Sequence, residues 1–148
     1  DAFVADEIAY TMAVSAGYKS LVDLSQFNVP IGGSGAYADR NWVNNNKDTV
    51  RRFIRSTVEA IALIKQNKDV GLKAIAGWYG ITDREQQEML LLDLSKLPRK
   101  PYPAVEGLKM TMQIYDSHEM RSHKVEDFYD DSFVKELDQN GYIDSLYK

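Results

Sequence analysis

His118, Glu119 and His123 are the side chains most suited to metal binding or acid–base work. A zinc site of the HExxH type needs its two histidines four apart on one helical face. Here they are five apart, which carries the second about 140° round a helix, so the segment reads as a polar loop. Gly32-Gly33-Ser34-Gly35-Ala36 approaches the GxSxG nucleophile elbow. Ala36 stands in place of the last glycine, no strand precedes it and no helix follows closely. The remaining readings are a crossover loop and a loop whose backbone N–H groups meet an anion. Asp127, Asp130 and Asp131 lack the alternate-position spacing of a calcium loop and read as a helix cap on a solvated face. Arg51, Arg52 and Arg55 have the charge for a phosphate clamp, but a solvated helix face accounts for them. Trp42 and Trp78 read as packing residues. Cysteine is absent, which removes a cysteine nucleophile, a thiolate zinc site and a disulfide together.

The elements that must position these residues follow from periodicity. Apolar residues at Val4, Ile8, Met12 and Ala16 predict a helix stopped by Gly17. Leu21-Val22-Asp23-Leu24 and Ala36-Tyr37-Ala38 are short strand candidates on either side of a Pro- and Gly-rich loop. The strongest signal is a helix over 47–66, with Val50, Phe53, Ile54, Thr57, Val58 and Ile61 in one apolar stripe and Lys65 snorkelling at its end. Asn46 is its expected N-cap. A helix over 70–79 ends at Gly80, and Thr82-Asp83-Arg84-Glu85 reads as a capping box opening the next, which Pro98 stops. Pro98, Pro101 and Pro103 make a stiff connector. Val105, Leu108, Met112 and Tyr115 mark a further helix, and 117–124 reads as a loop. A helix capped by Asp131 or Ser132 carries Val134 and Leu137, and Gly141 closes it. Tyr142, Ile143, Leu146 and Tyr147 form an apolar tail that should dock on the body. The expected class is α/β and helix-rich, with two or three short strands, without the regular alternation of an autonomous Rossmann-like domain.

A chain of 148 residues supports one modest core. Its 18 basic and 22 acidic residues give a net charge of −4, which argues against the basic face of a nucleic-acid-binding module. An apolar fraction of 44% with 27% charged residues is that of a folded chain. The longest uncharged run, from Leu24 to Ala38, contains Pro30 and the glycine cluster and does not read as a spanning helix. The opening Asp1-Ala2-Phe3, with neither initiator Met nor signal peptide, reads as the start of a mature, trimmed or excised piece.

Several segments in order carry a resemblance. They are Asp1-Ala2-Phe3-Val4-Ala5-Asp6-Glu7, the Gly-rich loop leading to Asp39-Arg40-Asn41-Trp42, and Val50-Arg51-Arg52-Phe53-Ile54-Arg55. Leu97-Pro98-Arg99-Lys100-Pro101-Tyr102-Pro103 follows, with Val105-Glu106-Gly107. Asp127 to Val134 and Gly141 to Tyr147 complete the set. Together they resemble the C-terminal half of the nitrate/sulfonate/taurine-type substrate-binding proteins of ABC importers, a group related to thiamine-pyrimidine synthesis proteins. Lys47 after Asn46, and Glu7-Ile8 after the Asp-Ala segment, stand where that family often has or approaches proline.

The resemblance implies the C-terminal part of a type II periplasmic-binding-protein fold. Residues 1–38 would end the second lobe and cross the hinge, and residues 39–148 would form helices packed on the first lobe. It implies a non-catalytic, cofactor-free and metal-free solute-binding component. Such a protein captures a small anionic or heteroaromatic ligand between two lobes for a membrane permease, in the periplasm or anchored at the cell surface. By the same comparison Asp1, Phe3, Ala5, Gly32, Gly33, Ser34, Gly35 and Tyr37 would line the ligand. Surface left by a missing half would favour a homo-oligomer. Two alternatives stand beside this: a pyrimidine-precursor biosynthetic enzyme of the same broad family, whose cysteine-rich motif is missing here, and a helical interaction module without a small ligand.

Overall fold

In the computed structural model, which describes residues 2–27, 29–30 and 35–148, Asp6 starts the first helix. Its Oδ1 accepts the Ala9 N–H at 2.9 Å, satisfying one donor that the first turn leaves orphaned. Helix α1 therefore runs Glu7–Ser15, starting three residues later than its apolar spacing suggests. Helices α2 (Arg40–Asn45) and α3 (Lys47–Gln66) meet at Asn46. Asn46 was expected to cap α3. Its side-chain amide instead donates back to the Trp42 carbonyl at 2.8 Å and closes α2, while its own carbonyl accepts from Thr49 and Val50.

Asn67 caps α4 (Lys68–Tyr79) by accepting the Val70 N–H, and Gly80 ends it at φ +68°, a left-handed turn that glycine adopts without a Cβ penalty. The capping box expected from Thr82 gives way to a single cap one residue later. Asp83 accepts the Gln86 N–H at 2.9 Å and opens α5 (Arg84–Ser95). Helices α6 (Val105–Ile114) and α8 (Ser132–Gln139) fall where the pattern places them, and the apolar tail contains a further helical turn, α9 (Tyr142–Ser145), that the pattern did not mark. The segment read as a polar loop contains a single helical turn, α7 (His118–Arg121), because Ser117 Oγ accepts the Met120 N–H. Two 3-10 turns, Leu24–Phe27 and Val125–Phe128, complete the elements.

The α/β expectation is overturned: no strand occurs among the described residues. Leu21 to Leu24 bends into the first 3-10 turn, where the Asp23 carbonyl accepts the Gln26 N–H. Ala36 to Ala38 is irregular chain. A segment of three or four residues has nothing to hold it extended without a partner ladder, and these residues find none. The periplasmic-binding-protein fold that the resemblance implied falls with this finding.

The chain divides into two compact units, residues 1–28 with 61–97 and residues 29–60 with 98–148. In the first, α4 packs on α5 around Leu72, Ile75, Leu90 and Leu91, with Ile64, Ile81 and Leu94 against them. Gly71 allows the close approach: a Cβ there would lie 2.5 Å from Leu91 Cδ1. In the second, Val58, Val134 and Ile143 form the buried centre, covered by Ile54, Leu137, Tyr142, Leu146 and Tyr147. The apolar tail therefore docks as its composition suggests. The α3 stripe, expected to serve one core, is shared: Ile54 and Val58 pack in the second unit, Ile64 in the first.

Candidate functional site

The residues expected to line a ligand are dispersed. Asp1, Gly32, Gly33 and Ser34 lie outside the described residues. Phe3 and Ala5 belong to the first unit, just ahead of α1. Phe3 is exposed and meets Tyr18 edge to face at 6.2 Å, and Ala5 is half-buried. Gly35 and Tyr37 belong to the second unit, where the Tyr37 ring folds back to within 3.7 Å of the point a Gly35 Cβ would occupy.

The densest arrangement of polar groups is elsewhere, in the second unit. On α3, Arg55 Nε donates to Glu59 Oε1 and to the Tyr142 hydroxyl, each at 3.0 Å, and its guanidinium lies 4.5 Å from the centre of the Tyr142 ring. The Tyr142 hydroxyl in turn donates to Glu59. Arg51 bridges Asp48 on its own helix and Glu136 on α8. On the proline connector, Lys100 Nζ contacts Asp138 at 2.6 Å and Asp144 at 3.2 Å, and Tyr102 donates to the other Asp138 oxygen at 2.8 Å. Arg99 lies 4.5 Å over the Tyr147 ring, and the buried Tyr147 hydroxyl has no hydrogen-bond partner among the described residues. Arg40 donates to the Asp127 carbonyl.

Local sequence explains how these groups are presented. Arg51, Arg55 and Glu59 are spaced i, i+4, i+8 and so rise along one side of α3. Gly141, at φ +76°, turns the chain between α8 and α9 and brings Tyr142 back towards α3. The proline connector bends at residues 99–100, where the Tyr102 N–H donates to the Lys100 carbonyl at 2.8 Å, and Lys100 and Tyr102 reach Asp138 from it without a helix to carry them.

The electrostatics fix each charge at neutral pH. Hydrogen bonds from Tyr142 and then Arg55 hold Glu59 below the usual carboxylate range, and the same Glu59 contact pushes the Tyr142 phenol up. Asp138 is held down by Lys100 first and Tyr102 second, while Lys100 is raised by Asp138 and Asp144. Carboxylates stay ionised, phenols protonated and the ammonium charged. A general base or an activated nucleophile is instead drawn towards neutrality. This arrangement fastens helices together.

A folded pKa below the unfolded one adds stability above the unfolded value and loses it as pH falls through the folded value. Asp138→Asn is therefore expected to lower the melting temperature at pH 7. The gap between variant and parent should close as pH falls below about 4, the ordinary carboxylate range. Thermal melts of both chains from pH 7 to pH 2 check this, and a gap independent of pH would refute it.

Sequence reading placed Arg51 and Arg55 on a solvated face. They are indeed about half exposed, but each also bridges to an element more than 80 residues away. His118 opens α7, whereas His123 lies 3.5 Å from Asp127 and edge-on to Phe128. Asp131 precedes α8 without a side-chain cap, and Asp130 accepts the Ser132 N–H instead. A shallow polar depression of about 450 Å³ runs over Asn44 to Thr49 and Arg51. Among the described residues no group of three or more His, Asp or Glu side chains is placed to hold a metal, and no helix is long and apolar enough to cross a membrane.

No protein-family model, no curated protein and no solved structure matches the chain.

Proposed function

We propose that this chain serves in solute capture for an ABC importer, as a non-catalytic helical part of the binding component. One observation carries the reading. Within the second unit, five of the segments that resemble the importer proteins are joined in two bonded groups. Asp39-Arg40-Asn41-Trp42 joins the 127–134 segment through Arg40 and the Asp127 carbonyl. The 50–55 segment joins the C-terminal Gly141-Tyr142 segment through Arg55. The Arg99-Lys100 segment joins that same segment through Lys100–Asp144 and Arg99–Tyr147. Segments that carry the resemblance and also bind one another form structural sets, and this supports the reading. The two-lobed α/β architecture is no part of the proposal. A role at a permease places the protein in the periplasm or on the cell surface.

Placed ligand contacts would then come from the segment ahead of α1, with Phe3 among them, since the polar clasp is occupied with its own helices. The test is calorimetric titration of small sulfonates, nitrate-like anions, pyrimidine precursors and aromatic acids, into this chain and into the full-length product of its gene. One class should bind saturably, and Phe3→Ala should weaken that binding at least about tenfold, or about 1.4 kcal/mol. Failure of every class against both proteins would reject the proposal. A helical interaction module is the second reading, favoured by the exposed apolar side chains of α1.

A further inference from the structure

Helix α1 is packed with Thr11 inward. Thr11 is buried at 9% exposure, while Tyr10, Met12 and Val14 expose 45%, 59% and 46%. Tyr10 and Val14 share one side of the helix, and Met12 faces about 160° away. A helix that is apolar all round belongs under cover. Within its unit α1 meets α5, where Gln86 donates to Ser15 at 3.5 Å. That contact leaves Tyr10, Met12 and Val14 in solvent.

Charge identifies the occupant. Asp6 stands at the N-terminal end of α1 and Lys19 just beyond its C-terminal end, with no charged residue from Ile8 to Tyr18 between them. Such a segment is its own complement when turned end for end. An antiparallel copy would place each Asp6 beside the other chain's Lys19 and would oppose the two helix dipoles, N-terminus beside C-terminus. The uncharged middles would meet each other. We propose that residues 6–19 form a self-complementary docking surface for a second copy of this chain, in a two-fold, isologous pair. The inference is independent of the importer reading, because it rests on α1 and its flanks alone.

Tyr10 and Val14 lie on one side of the helix about the midpoint of residues 6–19, so in the antiparallel pair each Tyr10 should lie beside the other copy's Val14. The chain has no cysteine, which makes a mixture of Tyr10→Cys and Val14→Cys chains a clean probe. Oxidation should give a disulfide-linked dimer from that mixture and none from Trp78→Cys, a more exposed control on α4. Sedimentation velocity from roughly 1 to 100 μM should show a dimer. Val14→Glu should weaken it at least about tenfold, Lys19→Glu should weaken it as well, and added salt should loosen it by screening the end contacts. A monomer at every concentration overturns the proposal. So does a dimer that Val14→Glu leaves intact, or one that the mixture of Tyr10→Cys and Val14→Cys chains fails to capture.

Discussion

Ile143→Ala should cost the protein about 3 kcal/mol, within the 2–5 kcal/mol that deletion of a buried isoleucine side chain removes. Ile143 has no exposed surface and packs with Val58 of α3 and Val134 of α8. The cavity left behind is only part of the effect. Helix α9 is a single turn, too short to hold itself. Its order depends on what Ile143 buries, and it carries Tyr142 and Asp144 into their contacts with Arg55, Glu59 and Lys100. Loss of the anchor should therefore loosen the polar clasp as well. Urea denaturation should show the lowered midpoint, and hydrogen exchange should quicken across α9 and the end of α8. Ile114→Ala, at 63% exposure, should stay within about 0.5 kcal/mol of the parent. A shift from Ile143→Ala as small as that would show that α9 is held by something other than this core.

What could be read beforehand was local. The span of α3 is legible because its apolar residues recur at helical spacing over about three turns, and tertiary context did not have to choose it. Caps are also local, yet their choice between neighbours is not. Thr82 and Asp83 both suit the start of α5, and the carboxylate one residue later is the group that reaches the Gln86 amide. Short apolar runs were the weakest signal. Leu21-Val22-Asp23-Leu24 has strand composition, but a strand is defined by its neighbour, and four residues do not specify one. Dividing one α3 stripe between two sets of packing partners is likewise invisible to periodicity, because Ile54, Val58, Ile61 and Ile64 look alike until their partners are known.

The polar clasp was illegible for a different reason. Arg55 and Tyr142 are 87 residues apart, and Tyr102 and Asp138 are 36 apart. Each of these side chains is individually ordinary on a surface, and only the turn at Gly141 and the connector of prolines bring them together. One signal was present: Arg51, Arg55 and Glu59 share a helix side, and such a row is a natural partner for a returning segment that carries its own acid and phenol. Of the residues expected around a ligand, Phe3 and Tyr37 keep the exposure that a ligand wall needs.

Ile75→Ala should be the most damaging single substitution in the first unit. Ile75 is 2% exposed and sits with Leu72, Leu90 and Leu91, where α4 meets α5. That unit has about 65 residues, and at 0.05–0.15 kcal/mol per residue its stability is on the order of 3–10 kcal/mol. A loss of about 3–4 kcal/mol is then a large share of the total. Relaxation has little room to soften it: Leu91, the nearest large side chain across the interface, already occupies the space over Gly71. Hydrogen exchange is the direct readout, since the amides of α4 and α5 should lose most of their protection while the backbone of residues 18–27 changes little. Gly71→Ala tests the same contact from the opposite side. The added methyl should displace Leu91 and destabilise the unit, offset by the roughly 1 kcal/mol by which alanine favours a helix over glycine. The ordering is the sharp expectation: Ile75→Ala should far exceed Gly71→Ala, and equal losses would mean that close packing over Gly71, rather than burial of Ile75, holds α4 on α5.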